Sequence, residues 1–190
     1  TVLTLGAGLL MQSPAQATLL NDITSFPVTF GDVTISLPYG CSVSWCSSTE
    51  VVALPGSATG FEIETVGDPS SLPSGDFSPV LEVQTSTTDI TAILVNADVG
   101  TTSVGETVET TSCMIGHATI SASSPTWINL NYSDPGCDPQ SSMREILLTL
   151  DITPVQGTAW SVSQTLIPEP FSAAVLATGL LGLGLTRRRT

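Results

Sequence analysis

The chain reads as an all-β protein: an antiparallel β-sandwich or jelly-roll-like body, with an N-terminal signal-peptide remnant and a C-terminal hydrophobic helix. Three observations predict this. Apolar residues recur with a period of two along most of the chain, the period of a strand with one buried face. The intervening stretches are rich in Ser, Thr, Gly and Pro, which favour turns over helices. The long apolar runs without acid lie only at the two ends.

The first element is residues 1–17, TVLTLGAGLLMQSPAQA. Val2 to Met11 is apolar, Gln12-Ser13-Pro14 breaks the run, and Ala15-Gln16-Ala17 gives the small-x-small pattern of a signal-peptidase site. Cleavage there makes Thr18 the mature N-terminus. No start Met or basic n-region precedes the run, so the expected signal peptide is incomplete at its start.

Residues 18–166 form one expected domain, long enough for a single core. Val33, Ile35 and Leu37 alternate, as do Phe61 and Ile63, then Leu81 and Val83. Ile128, Leu130 and Tyr132 alternate with Asn129 and Asn131. Ile146, Leu148, Leu150 and Ile152 favour a strand over a helix at 141–150, and Trp160 and Val162 begin the last strand. Turn clusters stand between them at Pro55-Gly56-Ser57, Gly67-Asp68-Pro69, Pro73-Ser74-Gly75-Asp76, Asp98-Val99-Gly100 and Ser133-Asp134-Pro135-Gly136. About eight to ten short strands are expected.

Charge excludes several function classes. The chain has 17 acids against 4 basic residues, a net charge of −13, and the basic residues are all Arg. Without Lys there is no P-loop lysine, no Schiff-base lysine and no kinase-type lysine. Nothing in residues 18–166 except Arg144 can neutralise a phosphate, so nucleic acid is excluded as a partner.

Four cysteines, Cys41, Cys46, Cys113 and Cys137, lie in the exported body. An even count in an oxidising compartment reads as two disulfides. Of three possible pairings, Cys41–Cys46 with Cys113–Cys137 is favoured because each joins neighbours along the chain. The first would pin a hairpin-like loop around Ser42–Trp45. A zinc site of four thiols, or three with His117, is disfavoured because the C-x4-C spacing is loose and no second close pair exists. No metal and no cofactor is expected.

Other candidate chemistry is thin. His117 is the single histidine, and no Gly-x-Ser-x-Gly elbow accompanies it. Glu62 and Glu64 share a strand face and suit either glycoside hydrolysis or a solvated face opposite Phe61 and Ile63. Asp134 and Asp138 form the densest acidic loop for calcium, without an EF-hand or nonapeptide pattern. Asn131-Tyr132-Ser133 fits a glycosylation sequon. Trp45, beside Cys46 in an expected loop, is the candidate ligand contact, while Trp127 and Trp160 read as core.

The last element is residues 167–190, IPEPFSAAVLATGLLGLGLTRRRT. Pro168-Glu169-Pro170 cannot be helical throughout. Residues 171–185 carry no charge and span about 22 Å as a helix, short of a bilayer core of about 30 Å. Thinning and arginine snorkelling close that gap. Arg187, Arg188 and Arg189 follow and should stay cytoplasmic.

This segment resembles the PEP-CTERM sorting signal of Gram-negative bacteria. The matching residues are Pro168, Glu169 and Pro170, Ser172 after them, the pairs at Gly179 and Gly182, and the Arg187–Arg189 cluster. The resemblance covers residues 167–190 alone. It implies an exosortase-type processing enzyme as partner, transit through the inner membrane, removal of the tail, and delivery to the cell surface or extracellular matrix. A Gram-positive sortase site is excluded, because Leu54-Pro55-Gly56-Ser57-Ala58-Thr59-Gly60 is too long and lies mid-chain. A GPI signal lacks a terminal Arg cluster. The expected function is a non-enzymatic surface or matrix protein, or alternatively a lectin-like or adhesin module for exopolysaccharide.

Overall fold

The computed structural model describes residues 17–22, 25–98, 100–110, 113–121, 124–132, 137 and 144–168. In chain order the strands there are β1 (Ala17–Leu19), β2 (Val28–Phe30), β3 (Val33–Ser36), β4 (Thr49–Ala53), β5 (Gly60–Thr65), β6 (Val80–Thr85), β7 (Ile90–Ala97), β8 (Thr101–Glu109), β9 (Met114–Ile120), β10 (Thr126–Asn129), β11 (Glu145–Pro154) and β12 (Ser161–Pro168). That is more strands than the periodicity alone delivers, because short edge strands such as β1 and β2 carry too few residues to show alternation.

The strands form two six-stranded antiparallel sheets. One runs β1-β4-β5-β12-β7-β10 and the other β2-β3-β6-β11-β8-β9. Only β2–β3, β4–β5 and β8–β9 are neighbours in both sequence and sheet. From β5 onward most connections pass from one sheet to the other, so the sandwich is held by pairings distant in sequence.

The inner faces follow the period of two. Val33 and Ile35, Leu81 and Val83, and Ile146, Leu148, Leu150 and Ile152 are buried from one sheet. Val51, Phe61, Ile63, Ile93, Val95, Val162 and Leu166 are buried from the other. β11 takes the part of 141–150 that begins at Glu145, and its alternating burial explains why the strand prevails there over a helix.

Two glycines are dictated by their surroundings. Gly31, at φ +59, is the first position of the two-residue turn joining β2 to β3, the conformation such hairpins require. A Cβ on Gly100 would stand 2.0 Å from the Ala159 carbonyl oxygen, so only glycine lets these backbones meet.

Both favoured disulfides are present. Cys41 and Cys46 are bridged with Cα atoms 5.7 Å apart, and Cys113 and Cys137 with Cα atoms 5.1 Å apart. No free cysteine remains. The first does not pin a hairpin. The chain from Ser44 to Ser48 is a 3-10 turn, with Cys46 N donating to the Val43 carbonyl. A bridge across five positions fits such a tight turn and tips Trp45 inward.

Candidate functional site

The aromatic residues are distributed differently from the sequence expectation. Trp45 is 3% exposed and sits in the core, not at a ligand site. Its ring centroid lies 6.0 Å from both Phe77 and Trp160, and its indole N–H donates to the Gly75 carbonyl at 3.2 Å. Phe77 and Trp160 complete the cluster at 6.1 Å. The indole therefore packs into the core against Phe77 and Trp160, next in sequence to the bridged Cys46. Trp160 is core as expected, but Trp127 is not, at 57% exposed. Its own strand gives the reason. Ile128 points inward on β10, so Trp127 faces out with Asn129.

Tyr39, which sequence reasoning passed over, is 78% exposed. It belongs to the turn after β3, where Gly40 N donates to the Leu37 carbonyl. The Cys41–Cys46 bridge anchors that turn immediately beyond it. Tyr39 lines a groove of about 280 Å³ with Pro38, Glu82, Thr110, Glu145, Ile146 and Leu147. Glu82 and Leu147 are cross-strand partners of β6 and β11, and Ser36 of β3 stands on the other side of Glu82. Ser36 Oγ donates to Glu82 Oε2 at 2.5 Å, and Gln84 Nε2 to Glu82 Oε1 at 3.2 Å. The groove thus pairs an exposed aromatic face with oriented acceptor oxygens.

Burial raises the Glu145 carboxyl above its ordinary range, and the neighbouring Glu82 adds to this by its charge and a hydrogen bond. Glu82 and Glu145 thus stand together on the wall of the groove. Glu62 and Glu64 show the solvated-face alternative. They flank the buried Ile63 on the outer face of β5, and Glu64 stands opposite Glu50 of β4. Partial burial raises the Glu64 carboxyl first, and the charges of Glu62 and Glu50 follow.

His117 is exposed on β9, its Nδ1 3.3 Å from Thr107 Oγ1. Among the described residues no hydrogen bond joins it to a serine or an acid, and no group of three metal-ligating side chains stands together. Ala17 and Thr18 lie in β1 opposite Val52 and Val51. Pro168 closes β12 opposite Ile90. Tyr132 of the sequon is half-buried and donates its hydroxyl to the Ile90 carbonyl at 2.9 Å. Burial, then the charge of Asp89, holds that phenol well above its ordinary range. Ala15, Ser133, Asp134, Asp138, Glu169, Pro170, Ser172, Gly179, Gly182, Arg187, Arg188 and Arg189 lie outside the described residues. Among the described residues no helix is long and apolar enough to cross a membrane.

No protein-family model matches the chain, and no curated protein does. Among solved structures, TmCBM61 in complex with β-1,4-galactotriose is similar at 10% identity and a TM-score of 0.31, over 83% of this chain and 90% of that one. The enzymatically active domain of bacteriophage CBA120 tailspike protein 4 is similar at 10% identity and a TM-score of 0.27. That match covers 81% of this chain and 19% of the tailspike chain. At that level of likeness neither ligand nor activity carries over, and the reading below rests on this chain's own residues.

Proposed function

We propose that this chain is an exported, non-enzymatic surface or matrix protein whose β-sandwich binds polysaccharide in the groove under Tyr39. The observation that carries the reading is the phenol ring, largely exposed at the mouth of a groove with fixed carboxyl oxygens. Sugars present C–H faces that stack on an aromatic ring and hydroxyls that donate to such oxygens. Two disulfides support an oxidising destination. Charge narrows the ligand class. At −13 the chain repels polyuronates, so the expected polymer is neutral or carries amino sugars.

A glycan array of the purified protein tests this. Neutral or amino-sugar polymers should be retained and polyuronates should not. Tyr39→Ala should weaken the retained interaction by about tenfold or more, the loss of about 1.4 kcal/mol of stacking, with thermal stability unchanged. Undiminished binding by that variant would remove the site, and an empty array would remove the polysaccharide reading.

Delivery is proposed to run through the exosortase-type tail. The Pro168-Glu169-Pro170 triad begins on the last residue of β12. Replacing the three residues with alanine should trap the protein in the inner membrane, seen by fractionation and immunoblotting. Processed protein at the surface of that variant would replace the sorting reading with a plain anchor.

A further inference from the structure

Val104, Glu106 and Val108 follow one another along the inner face of β8, and all three are fully buried. Across the interior Gln164 of β12, in the opposite sheet, is equally buried. Gln164 Nε2 donates to Glu106 Oε2 at 2.7 Å. The second oxygen of each group, Glu106 Oε1 and Gln164 Oε1, has no hydrogen-bond partner among the described residues. Two acceptors cannot satisfy one another, and burial makes each of them costly when left unpaired. One proton on the carboxyl removes both faults, because a carboxylic acid and a primary amide match as a ring of two hydrogen bonds.

We propose that Glu106 is held as the neutral carboxylic acid, its O–H donated to Gln164 Oε1, and that this acid–amide ring is a pH-sensitive lock between the two sheets. Among the described residues the surroundings offer no alternative counter-ion. Leu150 of β11 and Ala118 of β9 stand opposite Glu106, and Val95 of β7 and Phe61 of β5 stand opposite Gln164. The other buried polar residues among those described are Thr49, Thr85 and Thr110, none of them charged. Glu109, His117, Glu145, Asp151, Glu62 and Glu64, on the same strands, are not buried and belong to the outer faces.

Burial pushes the Glu106 carboxyl up to about 7, against 4.5 ordinarily, and the Gln164 bond only partly opposes this. The folded state therefore holds the proton more tightly than the unfolded chain. The stabilisation is fully present below about 4.5 and is lost as pH rises through about 7. In that window unfolding releases one proton, and the unfolding constant climbs by up to about tenfold per pH unit.

The test compares the full chain with Glu106→Gln by denaturant unfolding from about pH 5 to about pH 8. The variant's amide can close the same ring with no proton to lose. Its stability should match the parent near pH 5 and exceed it near pH 8, by a ratio of unfolding constants on the order of a hundredfold. The paired comparison cancels the other acids, including Glu64 and Glu145. Parallel curves would overturn the proposal. Should the variant not fold, the carbon-13 shift of the Glu106 carboxyl in the parent protein decides. A midpoint near 7 upholds the lock, and one at or below the ordinary 4.5 ends it.

Discussion

Replacing Trp45 with alanine is expected to remove about 3–5 kcal/mol of stability, the cost of emptying a buried aromatic site. The indole fills the space between Phe77 and Trp160 and satisfies its N–H on Gly75. The Cys41–Cys46 bridge beside it limits how far the surrounding chain can collapse into the cavity. For a domain of this size the melting temperature should fall by about 10 °C or more. Thermal unfolding and the glycan array together separate the two aromatic roles. Trp45→Ala should lose stability and keep binding while folded, whereas Tyr39→Ala should do the reverse. A stable Trp45→Ala variant that fails to bind sugar would return the ligand contact to Trp45 and displace the Tyr39 groove.

The second large effect is expected at Cys113–Cys137. This bridge closes a sequence separation of 24. Removing both cysteines should cost about 3 kcal/mol by releasing that loop in the unfolded chain. It ties the turn after β8 to the connection between β10 and β11. Thr110, whose N–H donates to the Cys113 carbonyl at 2.8 Å, is also a wall of the Tyr39 groove. The double variant Cys113→Ala/Cys137→Ala should therefore lose stability and weaken sugar binding together. Equilibrium unfolding in urea measures the first and titration with the retained polymer the second. Unchanged stability would mean that the native sheet contacts alone hold this turn.

The periodicity made much of this protein legible. Val33-x-Ile35, Leu81-x-Val83 and the run from Ile146 to Ile152 announced which side chains would be buried, because a strand has only two faces. The same alternation held the correction for Trp127, since Ile128 beside it had already taken the inward direction. Val104-x-Glu106-x-Val108 held a buried acid in plain sight. An acid inside an apolar alternation is a legible anomaly, yet nothing local says whether the strand inverts there or the acid goes in. The paired cysteines were readable from their spacing and their expected compartment.

What period two does not carry is the partner. Each strand states its inward residues, but the residues they meet belong to another sheet about 10 Å away and are set by strand order. Here β12 lies between β5 and β7, and β11 between β6 and β8, all distant in sequence. That order alone brings Gln164 over Glu106. Trp45 and Tyr39 depended on tertiary structure for a different reason. Both lie outside regular strands, where no period fixes a direction, so a 3-10 turn and one disulfide decided that the indole would fill the core and the phenol would face the solvent.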